Sequence, residues 1–144
     1  MTLTNVASVA GDGLKSAREI SRIVAQEMDS HRDVHFAVRT ITNEIHRWFA
    51  SRASLDRVKE LVSQEPDSGD ERFDALIEGI VAVMFRAKKL TVPRWTTRTK
   101  LASHWAPWGD IVRDDEWYAQ SVLFTPVELL DKGIVFDRKN LVRL

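Results

Sequence analysis

The chain of 144 residues contains no cysteine. This absence excludes disulfide bonds, a thiolate nucleophile, an iron–sulfur cluster and a cysteine-ligated zinc site. Long apolar runs are also missing. No uninterrupted stretch approaches the roughly 18 residues of a membrane span, and no charged segment followed by an apolar one opens the sequence. We therefore expect a cytoplasmic protein without a membrane segment.

An excess of charge of either sign is equally lacking, because 21 basic side chains balance 21 acidic ones. Broad attachment to nucleic acid or to an anionic membrane requires a net basic field, so neither partner is expected. The sequence also lacks a glycine-rich phosphate loop, the G-x-S-x-G and H-E-x-x-H motifs and a recognisable pair of catalytic carboxylates. Nothing in it requires an enzyme or a cofactor.

The length and the apolar fraction of 44% favour a single domain over residues 1–144. We divide this domain into an N-terminal arm (1–12), a helical core (13–89) and a Trp-rich tail (90–144) that wraps the core. The fold class expected is mainly α, with a four-helix bundle-like core, a Trp-rich C-terminal extension and at most one short β pair.

Apolar residues that recur every three or four positions predict the four core helices. Asp33 and Ser54 are suitable N-caps for the second and third of them, and Leu55 is expected to point inward. The predicted ranges are 13–30, about 34–50, 53–65 and 71–89.

The second predicted helix carries a regular apolar seam that would pack against another helix at a shallow angle. Its members are Val34, Val38, Ile41, Ile45 and Trp48. The fourth helix is the most apolar, which places it centrally. Gly79 in its middle costs about 1 kcal/mol relative to alanine, and either a close crossing of another helix or chance would explain its presence.

The tail contains four of the five tryptophans, Trp95, Trp105, Trp108 and Trp117. The rings either fill gaps over the helices or form a docking surface, because Trp and Arg dominate binding hot spots. We expect a mainly structural role, with one or two rings partly exposed. The predicted partner-binding residues are Arg94, Trp95, Arg98, Trp105 and Trp108.

Regular structure in the tail is expected to be sparse. One helical turn is predicted within residues 97–104, a helix from Asp114 to Leu123, and a short strand over 134–136. Another short helix is predicted to start at Pro126, with Thr125 as its cap.

Two groups of side chains have the chemistry of metal ligands. His31 and His35 are four residues apart, the spacing of paired zinc ligands on one helix, but no third ligand accompanies them. We interpret them as solvated histidines at a helix start. The acidic run lacks calcium-loop spacing and is interpreted as a solvated turn. Its members are Asp110, Asp114, Asp115 and Glu116.

The segment from Arg39 to His46, Arg-Thr-Ile-Thr-Asn-Glu-Ile-His, resembles the R-x(4–6)-H signature of HEPN ribonucleases. That resemblance implies an all-helical enzyme, usually dimeric, in which Arg39 and His46 lie together and RNA is cleaved by its own 2′-hydroxyl. Asn43 lies between the two residues. Arg98 and His104 also fit this signature, with five residues between them. About one match is expected by chance in a chain of this composition.

The tail resembles the C-terminal module of short bacterial proteins, some encoded beside predicted nucleotidyltransferases. The likeness covers residues 92–141 and consists of an ordered series of Pro, Trp and Gly positions. The series is Val92-Pro93-Arg94-Trp95-Thr96, then Trp105-Ala106-Pro107-Trp108, then Thr125–Leu130, then Gly133–Leu141. It implies an antitoxin or regulatory partner.

We therefore expect a cytoplasmic bacterial protein that binds another protein, such as a toxin-like partner, and that can form a homodimer. The alternative is a metal-independent ribonuclease that uses Arg39 and His46. A DNA-binding role is disfavoured because the fourth predicted helix is too apolar to lie in a groove.

Overall fold

The described part of the chain, residues 11–107 and 115–142 of a computed structural model, is mainly helical, as the sequence predicts. No strand occurs in these ranges. The helices are α1 (Ala17–Ser30), α2 (Val34–Ala50), α3 (Leu55–Leu61), α4 (Glu71–Ala87), α5 (Asp115–Leu123), α6 (Val127–Leu130) and α7 (Lys139–Val142), with a 3-10 turn at Arg94–Thr97 between α4 and α5.

Side-chain caps define where the long helices begin. The carboxylate of Asp33 accepts the backbone N–H of Phe36, and the Ser54 hydroxyl accepts that of Arg57, so both predicted caps are confirmed. Helix α1 begins later than predicted, because Ser16 and Glu19 form a capping box around its first turn.

The third helix differs from its prediction of residues 53–65. It ends at Leu61, where the backbone N–H of Val62 bonds back to Lys59. Because α3 makes only two turns, its buried contacts come from Val58 and Leu61. The expectation that Leu55 points inward is wrong, since this side chain is 50% exposed.

A single buried cluster joins the helices. The seam of α2 lies in it, with Val34 half-buried and the other four members fully buried. The indole N–H of Trp48 donates to the carbonyl of Lys15 at 2.7 Å. Four side chains from the tail belong to the same cluster, so the tail shares the core of the helices. They are Leu129, Ile134, Phe136 and Leu141.

Helix α4 packs against α1 and α2 and also against the 3-10 turn and α6. Gly79 lies at the crossing with α6. A Cβ at this position would overlap with Cδ2 of Leu129 and would lie 3.1 Å from its Cγ. The missing side chain thus allows α6 to approach α4, and of the two explanations for Gly79 the close crossing is the one that the structure supports.

Two details of the tail differ from the sequence-based expectation. The helical turn lies at Arg94–Thr97 instead of within 97–104. The predicted strand over 134–136 is reduced to an isolated parallel bridge between Trp105 and Ile134. The backbone N–H of Phe136, which would pair with a neighbouring strand, donates instead to the Thr125 hydroxyl at 2.9 Å.

The same hydrogen bond explains why Thr125 does not cap α6. Its hydroxyl donates to the carbonyl of Ser121 and accepts from Phe136, so it fastens the end of α5 to the segment after α6. Helix α6 has no side-chain cap, and Pro126 immediately precedes its first residue.

The arm predicted at residues 1–12 is attached at its end. Nε and Nη2 of Arg57 donate to the two carboxylate oxygens of Asp12 at 2.8 and 3.1 Å. These bonds lower the pKa of Asp12 from 3.8 to about 2. Residues 1–10 lie outside the described part. Among the described residues, no helix has the length and the apolar character needed to cross a membrane.

Replacing Gly79 with alanine tests the crossing. We expect Gly79→Ala to lower the free energy of unfolding by about 1–3 kcal/mol, because overpacking against buried Leu129 outweighs the higher helix propensity of alanine. In a Leu129→Ala background the clash disappears, and the same change should be neutral or stabilising. Urea denaturation of the four proteins measures both effects. Stabilisation by Gly79→Ala in the wild-type background would contradict the close approach.

Candidate functional site

The carboxylate of Glu78, on α4, is fully buried and accepts four hydrogen bonds or ion pairs from the tail. The backbone N–H and the hydroxyl of Thr99 donate to its two oxygens at 2.9 and 2.8 Å. The ammonium of Lys132 lies 2.8 Å from Oε1, and Nη2 of Arg98 lies 3.1 Å from Oε2. This Glu78 cluster positions the segment after the 3-10 turn against α4.

The cations of the cluster make further contacts inside the molecule. Lys132 also donates to the carbonyl of Thr99 at 2.8 Å. Nη2 of Arg98 donates to the carbonyl of Pro66 at 2.9 Å and lies 3.8 Å from the carboxylate of Asp74, whose pKa is raised by burial. The guanidinium of Arg98, predicted to bind a partner, is thus engaged with the chain itself.

Two of the tail tryptophans are half-buried and have intramolecular contacts. The indole N–H of Trp95 donates to the carbonyl of Val62 at 3.0 Å. The ring of Trp105 meets Phe73 edge to face at 5.4 Å, and the guanidinium of Arg72 lies 5.2 Å from its centroid. These contacts dock the tail on α3 and α4, the structural role expected for most of the rings.

The remaining predicted docking residues are placed differently. Arg94 is exposed at the start of the 3-10 turn and has no ion pair in residues 11–107 or 115–142. Trp108 lies outside the described residues, as does the side chain of Trp117.

A cleft with a volume of about 910 Å³ opens between α4, the 3-10 turn and α6. Its apolar wall includes Ala82, Val92, Pro93 and Val127. Its charged lining comprises four basic and two acidic side chains, which are Arg86, Arg94, Lys100 and Lys132, and Glu128 and Asp131. Lys132 lines one side of this cleft and is paired with Glu78, so the position of that side depends on the Glu78 cluster.

An apolar surface, which we call the α5–α6 surface, is formed by four exposed side chains within eight consecutive residues. They are Leu123 (74% exposed), Phe124 (47%), Val127 (55%) and Leu130 (38%). The tryptophan pattern does not predict this surface, because only Phe124 among its four members is aromatic. A signal does exist in the sequence. Residues 123–130 are rich in apolar side chains, more than two short helices can bury.

The ribonuclease alternative depends on Arg39 and His46, both on α2. Arg39 is exposed and His46 is partly buried, and neither has an ion pair in the described part of the chain. The second match, Arg98 with His104, is divided between two environments, because Arg98 contacts Glu78 while His104 is exposed.

The histidine pair does not share a helix. His31 follows the end of α1 and lies 3.3 Å from the carboxylate of Glu27, whereas His35 lies in α2 after its Asp33 cap. No group of three or more potential metal ligands occurs among the residues that the structure describes. Asp110 and Asp114 fall outside those residues, as do the side chains of Asp115 and Glu116.

No protein-family model matches this chain, and comparisons with curated proteins and with solved structures gave no significant match.

The Glu78 cluster leads to a prediction about Lys132. Removing its ammonium leaves the buried carboxylate short of a counter-charge, so Lys132→Met should lower the free energy of unfolding by about 3–5 kcal/mol. Lys139→Met is the matched control, because Lys139 is exposed and 3.9 Å from its partner Asp137. It should change stability by less than about 0.5 kcal/mol. Urea denaturation of both variants compares them, and equal losses would refute the special role of Lys132.

The ribonuclease alternative leads to a second prediction. If the chain is a binding protein, purified wild-type protein and His46→Ala should leave a labelled single-stranded RNA equally intact. Gel electrophoresis after incubation measures this, with Arg47→Ala on the same helix as the control. Cleavage that His46→Ala and Arg39→Ala both abolish, and Arg47→Ala does not, would establish the enzyme instead.

Proposed function

We propose that this chain is a protein-binding regulatory protein, antitoxin-like in kind and without catalytic activity, and that its α5–α6 surface binds the partner. The observation that carries the proposal is the concentration of four exposed apolar side chains at Leu123, Phe124, Val127 and Leu130. The fold proposed for this function is a four-helix bundle-like core with a Trp-rich C-terminal extension.

Clustering separates this surface from ordinary exposed apolar residues. Phe36 and Leu55 are also exposed, but they lie on α2 and α3, apart from each other in the sequence. Single exposed apolar side chains are common in soluble proteins, whereas adjacent ones mark surfaces that are covered by another molecule.

The charges around the surface favour a protein as the occupant. Asp131 is exposed beside Leu130, and exposed Arg138 donates its backbone N–H to the carbonyl of Phe124 at 3.0 Å. An anionic membrane or a nucleic acid would be attracted by basic charge alone. A rim that carries both signs fits the polar edge of a protein interface. The resemblance of residues 92–141 to antitoxin-like modules supports the same class of partner.

The α5–α6 surface differs from the partner-binding surface that the sequence predicts, although both lie in the tail. The sequence predicts Arg94, Trp95, Arg98, Trp105 and Trp108 as partner-binding residues. The side-chain N–H groups of Trp95 and Arg98 donate to the carbonyls of Val62 and Pro66, so these polar groups stabilise the fold. The side chains of the α5–α6 surface are apolar, so they make no such hydrogen bonds within the chain.

Introducing negative charge on the α5–α6 surface tests the proposal. Wild-type protein, the double variant Leu123→Glu/Phe124→Glu and the control Leu55→Glu are used as baits in an extract of the source cells. Any protein retained is then produced separately and titrated against each bait. We expect binding to wild type and to Leu55→Glu, and an affinity at least about tenfold lower for the double variant, because charges would be buried in an apolar contact.

Two outcomes would contradict the proposal. In the first, the double variant binds the purified partner as well as wild type does. In the second, light scattering shows a wild-type dimer that the double variant converts to a monomer, which would make the surface a contact between two copies.

A further inference from the structure

We propose that the cleft between α4, the 3-10 turn and α6 is a binding site for a phosphate-bearing small molecule. Its volume of about 910 Å³ falls in the range of small-molecule pockets. It is distinct from the protein-binding surface, with Val127 as the residue common to both. The cations that line the cleft, and the hydrogen-bonding partners of their N–H groups, favour a phosphate-bearing ligand.

Lys132 lines this cleft, and its ammonium is held at the buried end of the side chain. Its side chain is 7% exposed, and two of the three ammonium hydrogens are taken by Glu78 and by the carbonyl of Thr99, each at 2.8 Å. Within the described residues the third hydrogen has no acceptor. A buried donor with spare capacity beside a cleft is a group that a ligand oxygen would satisfy.

Arg94 and Lys100 add two cations that have no ion pair within residues 11–107 and 115–142. They flank the Thr-rich segment after Pro93, so the cleft receives positive charge from the 3-10 turn as well as from Lys132. An arginine fork and an ammonium are the groups that hold phosphate oxygens most strongly.

The threonines of the cleft do not add donors. The hydroxyls of Thr96 and Thr97 donate to the carbonyls of Pro93 and Arg94, and that of Thr99 donates to Glu78. Recognition therefore depends on the cations. This dependence favours an anion over a neutral sugar or alcohol.

The charge balance matches a phosphate group. Four basic and two acidic side chains leave the lining with a formal charge of +2, and Arg86 is paired with Glu128 at 3.3 Å. Counting buried Glu78 behind Lys132 leaves +1. A phosphate monoester carries between one and two negative charges at neutral pH, and the apolar wall can cover the rest of such a molecule.

Calorimetric titration of the intact chain tests the site with defined probes. Adenosine monophosphate and inorganic pyrophosphate carry phosphate, whereas adenosine and acetate do not. We expect both phosphate probes to bind, and neither adenosine nor acetate to bind at the same concentrations. In Arg94→Ala/Lys100→Ala the affinity should fall about tenfold or more, because charge-assisted hydrogen bonds are lost.

The control variant is Arg22→Ala/Lys59→Ala, which removes the same charge from exposed positions on α1 and α3. Its affinity for the phosphate probes should stay within about twofold of wild type. An equal loss in both double variants would show non-specific attraction and overturn the proposal. Absence of binding by either phosphate probe at millimolar concentration, or acetate binding as tight as theirs, would overturn it as well.

The two proposals fail separately. Leu123→Glu/Phe124→Glu changes the α5–α6 surface and leaves the residues that line the cleft unchanged. It should lose the protein partner and keep adenosine monophosphate. Circular dichroism of each variant confirms that the helical content is preserved.

Discussion

The fully buried carboxylate of Glu78 is the constraint on which the arrangement of the tail depends. A charge removed from water is tolerated when opposite charges and donors surround it, and here all of them come from other parts of the chain. Thr99 follows Glu78 by 21 residues and Lys132 by 54. The cluster therefore joins the segment after the 3-10 turn and the segment after α6 to the same point on α4, and it brings a buried cation to the edge of the cleft.

Gly79 complements this polar constraint with a steric one. Because it has no side chain, Leu129 can pack directly on α4, and α6 is held close. Burial of Leu129 on one side of a four-residue helix leaves Val127 and Leu130 exposed. One short helix thus contributes both to the cleft and to the α5–α6 surface. Binding at either place would be sensitive to the position of α6, which the neighbouring Glu78 and Gly79 determine.

For the tryptophans, composition indicates the amount of apolar surface, and the structure shows which part of each ring is covered. Four of them in the tail indicate a large apolar contribution, and Trp95 and Trp105 attach the tail to the helices. Composition does not indicate which face of a ring is covered. That depends on partners such as the carbonyl of Val62 and the ring of Phe73, which lie about 30 residues away in the sequence.

The sequence by itself determined the helical class, the Asp33 and Ser54 caps and the seam of α2, because each follows from local spacing or from one residue's stereochemistry. It placed the tail's helical turn a few residues late, made α3 six residues too long and predicted a strand where one bridge exists. Only the tertiary structure decided the Glu78 cluster, the cleft and the α5–α6 surface. Each depends on contacts between side chains from segments that are distant in the sequence, and such contacts produce no periodic pattern in the sequence.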